Sequence, residues 1–290
     1  MVNAKYICVN GEFRRAEEPF ILPVNRAFRY GDALCENIHV FATEAQFLEH
    51  HYSRMVSGMN LLYMEIPFHL TLGNLAQLIT QLLNRNKLYG GGMIRLTIFR
   101  DAGVSVTPDN NRIGFTLESH PLPHDRYELN EKGLVIDLCQ DYSVNTGSLS
   151  GIKSTGSLLY VLTGLYCKRN HLDDAVLLND MGRIAGSVCS NIFLVRGSSL
   201  FTPGLDQGCI PGVMRRVILK LSTDAGFRVN DQSSLTPAVL DDADEVFLTN
   251  AREGIRWAGA FRQRRYYKRT AQNLIRMLNE LVFNVRGKTV

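Results

Sequence analysis

The run Pro121-Leu122-Pro123-His124-Asp125 constrains this chain more than any other feature. Each proline fixes φ and lacks an amide donor, so the run fits neither a helix interior nor a central strand. It cuts the 290 residues into two stretches, each long enough to enclose its own core. The expected layout is an N-terminal α/β domain over residues 1–120, a linker over 121–127, and a C-terminal domain over 128–290 that ends in a basic helix.

Hydrophobic patterning fills both halves. Tyr6–Val9, the turn Asn10-Gly11 and Phe13 predict a hairpin. Strands are expected at 37–41, 93–99 and 113–119, with a break at Gly90-Gly91-Gly92 and a turn at 101–103. Leu48, Met55, Met59 and Leu62 predict a helix over 47–63, and Leu72, Leu75, Leu78, Ile79 and Leu82 another over 72–86. The second half reads as strands at 134–138, 175–178, 192–195, 199–202 and 246–249. Helices are expected at 158–169 and 213–224, and a terminal one carries Leu274, Met277, Leu278 and Leu281. Strands and helices do not alternate regularly, so the expected class is α+β in a two-domain α/β chain rather than a doubly wound sheet.

Composition narrows the function. With 45% hydrophobic and 21% charged residues, the chain is neither a disordered polymer nor a collagen nor a disulfide scaffold. The six cysteines form no CxxC pair and fit buried thiols in a reducing compartment. The first residues hold no apolar stretch of signal-peptide length, so a cytoplasmic location is expected. No apolar run reaches membrane-span length, and no membrane partner is expected. Net charge is +4. From Phe261 onward eight basic residues, Arg286 and Lys288 among them, face the single acid Glu280, so the rest of the chain is net acidic. That balance argues against a nucleic-acid partner. Neither HExxH nor a zinc-spaced Cys/His cluster occurs, so no metal is expected.

Two segments can carry chemistry. Ile210-Pro211-Gly212-Val213-Met214-Arg215 leads into a predicted helix. Proline suits a first turn, and glycine admits close approach to the free N–H groups, so this is the form of an anion site. Gly151-Ile152-Lys153-Ser154-Thr155-Gly156 sets one lysine among small residues, and a lysine amine can act as a nucleophile toward a carbonyl. Taken alone, the first reads more readily as a plain helix start and the second as a surface lysine in a turn, the commoner case for such a spacing.

Taken in order, further motifs give these segments a context. They are Asn25-Arg26-Ala27-Phe28-Arg29-Tyr30-Gly31-Asp32, His51-Tyr52-Ser53-Arg54, Arg95 to Arg100-Asp101, Gly182-Arg183 to Ser190-Asn191-Ile192-Phe193, Thr202-Pro203, and Asp244 to Thr249-Asn250. From about Tyr6 to Ile255 the chain resembles the class IV aminotransferases, the fold-type IV pyridoxal-phosphate enzymes. That family includes branched-chain and D-amino-acid aminotransferases and aminodeoxychorismate lyase. The resemblance implies a D-amino-acid-aminotransferase-like fold whose C-terminal domain binds cofactor in an interdomain cleft. It also implies a homodimer. Lys153 would be the Schiff-base lysine. Arg54 and the amides of Gly212, Val213 and Met214 would hold the phosphate, with Thr249 and Asn250 as further cofactor contacts. Tyr30, Arg100 and His39 would line the substrate side, along with the wall positions Cys35, Phe99 and Trp257.

Departures accompany the matches. The family's glutamate at the pyridine nitrogen is replaced by Gly186, and neighbouring Ser187 is expected to offer a neutral hydrogen bond instead. Ala251 stands where transaminases of the family often carry a phosphate-binding threonine, and Thr249-Asn250-Ala251 resembles the lyases. The Arg-x-His trap of the D-amino-acid enzymes has no counterpart after Arg100. The leading expectation is an aminotransferase acting on the α-amino group of a small amino acid, a branched-chain one among the candidates, with a keto-acid partner. The alternatives are an aminodeoxychorismate-type lyase and a catalytically degenerate homologue.

Overall fold

The structure is a computed structural model that describes residues 4–101 and 103–283. Ala102 of the expected turn, and Arg286 and Lys288 of the basic tail, lie outside the described residues. The chain forms two compact units. One takes the described residues through Arg126 together with Ile152–Gly156; the other takes Tyr127–Gly151 and the chain from Ser157 onward. The segment holding Lys153 therefore belongs to the first unit, although its sequence neighbours on both sides belong to the second.

The first unit is built on one antiparallel sheet in the order β2-β1-β6-β5-β3-β4. Its strands are β1 (Tyr6–Val9), β2 (Glu12–Arg15), β3 (Ala33–Phe41), β4 (Glu44–Ala45), β5 (Gly91–Arg100) and β6 (Ile113–Pro121). Side chains alternate across a strand, so each strand gives the sheet two faces. Leu34, Ile38, Val40, Ile94, Leu96, Ile98, Phe115 and Leu117 form a core with helices α2 (Leu48–Leu61) and α3 (Leu72–Arg85). Cys35, Asn37, His39, Met93, Arg95 and Thr97 have the opposite parity and line the other face.

Local chemistry explains the boundaries. A short helix α1 (Arg26–Tyr30) escapes the periodicity reading because five residues are too few to show it. It is set by Asn25, whose side chain accepts from the Ala27 amide at 2.9 Å, and by Gly31 at φ 66°. Thr71 caps α3 through the Asn74 amide. The expected break at Gly90–Gly92 is corrected: Gly91 and Gly92 open β5. An ideal Cβ on Gly91 would lie 2.7 Å from the Asp125 Cα, so glycine here permits a close backbone crossing. Pro121 closes β6 opposite Gly92, a strand end where its missing donor matters little.

The second unit carries a larger sheet in the order β12-β11-β10-β13-β14-β7-β8-β9, with β15 paired to β14. These are β7 (Leu134–Val144), β8 (Asp174–Asn179), β9 (Ile184–Ser187), β10 (Asn191–Arg196), β11 (Ser199–Pro203), β12 (Arg228–Ser233), β13 (Glu245–Asn250), β14 (Gly254–Phe261) and β15 (Arg264–Arg265). Helices α4 (Leu158–Arg169) and α5 (Val213–Asp224) match the expected spans; α6 (Val239–Asp242) and α7 (Arg269–Phe283) complete the unit. Buried Glu245 on β13 caps α7, accepting from the Thr270 amide at 2.9 Å and from its hydroxyl at 2.9 Å. Leu274 and Leu278 of α7 are buried, while Leu281 is exposed.

Candidate functional site

Lys153 is fixed by β3. The Cys35 amide donates to the Lys153 carbonyl at 2.9 Å, the Thr155 amide donates to the Ala33 carbonyl at 3.0 Å, and Leu34 bridges Ser154. Residues 153–155 thus add a short antiparallel segment to part of the β3 edge. The side chain runs to the face of Cys35, where Nζ donates to Sγ at 3.6 Å.

On the core face, Glu36 sits beneath α2. His51 and Arg54 are three residues apart and so share one side of that helix. Arg54 Nε donates to Glu36 Oε1 at 2.8 Å and Nη2 to Oε2 at 2.5 Å; His51 Nδ1 meets Oε2 at 2.7 Å. Burial alone would raise the Glu36 carboxyl, but the hydrogen bonds from His51 and Arg54 outweigh it and hold it at about 2. Burial lowers His51 further than Glu36 raises it, so its imidazole is neutral at pH 7. His51 then donates from Nδ1, and Glu36 fixes the Arg54 guanidinium.

The open face holds a charge that the sequence reading passed over. Arg95 lies across from Asn37 on β3 and Glu118 on β6. It is half-buried and makes no hydrogen bond or ion pair among the described residues. Glu118 turns instead to His120, 3.7 Å away. The Asn37 Oδ1 is buried without a hydrogen-bond partner among the described residues. Arg95 was legible as the first arginine of the Arg95-to-Arg100 motif, and as a charge breaking an otherwise apolar strand. His39, two residues beyond Asn37, is buried, and burial lowers its pKa to about 4 despite Asp125. Its imidazole is neutral at pH 7.

Arg100 is committed elsewhere, which corrects its expected substrate role. Its Nε donates to Asp32 Oδ2 at 3.0 Å, its Nη2 to the Leu62 carbonyl at 2.7 Å, and its Nη1 to Asn111 Oδ1. All three nitrogens are occupied by the protein, and the residue is 6% exposed. Tyr30 is exposed; its hydroxyl donates to the Val104 carbonyl at 2.7 Å, and the Arg26 guanidinium lies 5.1 Å from its ring centre. It helps tie α1 to the 104–106 loop.

In the second unit, α5 starts at Gly212 with no side-chain cap. The amides of Val213 and Met214 fall in the first turn, where an α-helix supplies no partner, and both residues are buried. An ideal Cβ on Gly212 would lie 2.1 Å from Asn191 Oδ1, so only glycine fits this turn. Asn191 pairs with Thr249 across β10 and β13, and Thr249 Oγ1 is buried with no hydrogen-bond partner among the described residues. A helix dipole, first-turn amides and the Thr249 hydroxyl in one neighbourhood are groups that could hold a phosphate. Gly151, two residues before Lys153 in the chain, has Pro211 as its nearest neighbour at 3.8 Å from an ideal Cβ.

Asn250 is used locally. Its Nδ2 donates to Ser190 Oγ at 3.0 Å and to Glu253 Oε2 at 2.9 Å, and its Oδ1 accepts from the Arg252 and Glu253 amides. Ser187 also departs from expectation. Gly186 lies opposite Leu177, and Ser187 opposite Val176. Leu177 and Val176 belong to different core clusters, so residues 186 and 187 face opposite sides of the sheet. The Ser187 side chain instead bonds buried Asp174 and donates to the Ser190 carbonyl at 3.4 Å. Burial raises Asp174 against the pull of the Val188 and Ala175 amides. Among the described residues, no group of three His, Cys, Asp or Glu is placed to hold a metal ion.

Residues 33–258 match the family model for amino-transferase class IV. The chain is 25% identical over 257 residues to the aminodeoxychorismate lyase of Bacillus subtilis, spanning 84% of this chain and 83% of that protein. It is 24% identical over 256 residues to the branched-chain-amino-acid aminotransferase of Escherichia coli, spanning 85% of this chain and 81% of that one. Its fold superposes on a branched-chain aminotransferase from Thermoproteus uzoniensis with a TM-score of 0.88 at 20% identity, covering 96% of this chain and 95% of the other.

Proposed function

Because the chain belongs to the class IV aminotransferase family, we propose that it moves an amino group between a small amino acid and a keto acid, with pyridoxal phosphate as cofactor and Lys153 as the reacting amine. The observation that carries this reading is Lys153 Nζ, 3.6 Å from Cys35 on the half-open face of the first sheet. The unpaired guanidinium of Arg95 stands on that same face.

The residues present fit the cofactor. In the second unit, the first-turn amides of Val213 and Met214 and the Thr249 hydroxyl, unpartnered among the described residues, suit phosphate oxygens. In the first unit, Arg54 suits an anion, with Glu36 holding its guanidinium plane. When bound, pyridoxal phosphate supplies an aldehyde for the lysine and a ring that draws electron density from the substrate α-carbon. Lys153, as an amine free to act as base and then acid, would take the proton leaving that carbon and return it in a 1,3-shift, two bonds along. Arg95 binds a substrate carboxylate. Cys35 to Asn37 spans two residues of strand, roughly 7 Å, which is the scale of a small amino acid. Neutral His39 closes the far wall.

A lyase reading has its own support. Relatives of comparable identity include an aminodeoxychorismate lyase, and Ala251 leaves no hydroxyl beyond Thr249. Such an enzyme would release pyruvate rather than exchange amino groups. The exposed Leu22, Phe28, Val104 and Val106 around α1 suit burial against a second copy of the chain.

The test is the visible spectrum of the purified protein with pyridoxal phosphate, before and after borohydride. A band fixed by borohydride in the parent and absent in Lys153→Ala is expected; an unchanged band in the variant overturns the assignment. Keto-acid formation in half-reactions with amino donors then supports the aminotransferase, and pyruvate release from aminodeoxychorismate supports the lyase.

A further inference from the structure

We propose that Cys35 and Lys153 are a redox modification site: a hydroperoxide oxidises the thiol, and the lysine amine closes onto it as a sulfenamide. This reaches beyond the proposed activity, although its consequence, loss of the reacting amine, rests on the assignment of Lys153.

The two side chains are held together by backbone. The Cys35 amide donates to the Lys153 carbonyl at 2.9 Å, and the Leu34–Ser154 bridge lies beside it. Lys153 Nζ reaches Cys35 Sγ at 3.6 Å, and Sγ lies 3.6 Å from the Ser154 carbonyl. Cys35 is 6% exposed, so a sulfenic acid formed there has little water around it and an amine already in contact. Within the first unit the other cysteine is Cys8, which belongs to the core on the opposite face of the sheet. A thiol partner on the Cys35 face is therefore missing within that unit, and the amine is the nucleophile at hand. Lysine is long and flexible, so rotation about its stem closes the remaining gap.

The chemistry balances in two steps. The Cys35 thiol and hydrogen peroxide give the sulfenic acid and water; sulfur loses two electrons and the peroxide O–O bond breaks. The Lys153 nitrogen lone pair then attacks that sulfur, an S–N bond forms, and hydroxide leaves with the amine proton as water. Two equivalents of an external thiol reverse the bridge, regenerating Cys35 and Lys153 and leaving a disulfide of the reductant. While the bridge stands, Lys153 has no free amine with which to hold a carbonyl or move a proton.

The experiment uses the full chain carrying Cys189→Ser, which removes the exposed thiol. After hydrogen peroxide, intact mass is expected to fall by two hydrogens and to return with dithiothreitol. Peptide mapping should join the Cys35 and Lys153 peptides, with tryptic cleavage after Lys153 blocked. In Lys153→Arg the same dose should instead add oxygen at Cys35, trappable by dimedone; in Cys35→Ser no bridge should form. The proposal is overturned if Cys35 of the parent gains oxygen while Lys153 stays cleavable, or if the lost hydrogens map to a pair of cysteines. Prior pyridoxal phosphate should protect Lys153 from bridging. A bridge that forms equally with and without it leaves this proposal standing and sinks the cofactor assignment of Lys153.

Discussion

Arg26 and Arg100 donate to the same oxygen of Asp32, Oδ2, at 2.8 and 3.0 Å. One carboxylate thus anchors two buried arginines from opposite ends of the first unit's sequence. Arg26 continues to the carbonyls of Ser105 and Val106, so this pair of ions also fixes the 104–106 loop. Arg100→Met should therefore act on stability. Removing one member of a buried ionic cluster costs on the order of 3 kcal/mol, read as a lower urea midpoint, with the KM of the folded fraction nearly unchanged. A large KM rise at normal stability would restore Arg100 to the substrate.

Arg95→Ala should do the reverse. The guanidinium holds nothing among the described residues, so the urea midpoint should hardly move. A hydrogen-bonded charge is worth about 1.5–3 kcal/mol, so KM for the amino-acid substrate should rise roughly tenfold to a hundredfold while kcat changes less. Equal KM values for parent and variant would remove Arg95 from the site.

Stability should fall in mild acid. His39 titrates near 6.5 when unfolded and at about 4 when folded, so below pH 6.5 the unfolded chain binds more protons. The imidazole's share of stability is intact above pH 6.5 and is lost progressively as pH falls toward 4, up to ~3 kcal/mol. Glu36 acts lower down: its share is full above 4.5 and is lost as pH falls through about 2. His39→Asn should flatten the urea-midpoint profile between pH 6.5 and 4. An unchanged slope would place the titration elsewhere, with His51 the next residue to replace.

Gly212→Ala should damage the α5 start. The new Cβ would lie 2.1 Å from Asn191 Oδ1, so the Asn191 amide must give way, and with it its hydrogen bond to the Ile210 carbonyl. Overpacking of this kind costs about 1–3 kcal/mol, and movement of the Val213 and Met214 amides should weaken pyridoxal phosphate binding in a fluorescence titration. Parent-like affinity would mean those amides do not hold the phosphate.

Much of this molecule can be read before it is folded. α4 and α5 match their expected spans because each is bounded by strong signals, Pro211-Gly212 for α5 among them. β14 escapes because Gly254 to Phe261 alternates poorly, and β9 because Ile184 to Ser187 is short and carries a bulge between its partners Leu177 and Leu178. The candidate site was legible wherever a motif names the residue: Lys153, Arg54 and Gly212. It was not legible where register decides. Arg95 becomes prominent only once β5 is aligned with Asn37 and Glu118. Ser187 loses its role beside Gly186 only once both strand faces are known, and Arg100 only once Asp32, Asn111 and Leu62 surround it.

Ile152–Gly156 completes part of the β3 edge from a distant position in the chain, and this governs how the protein can be made or divided. A ribosome that has released only the residues through Arg126 has produced a sheet whose Ala33 carbonyl and Cys35 amide still lack their partners. Such an edge is open to pairing with another chain until Thr155 emerges. A cut at the Arg126–Tyr127 junction would therefore not yield two independent folding units. The fragment carrying β3 would be left without its edge segment, and Lys153 would remain in the other piece.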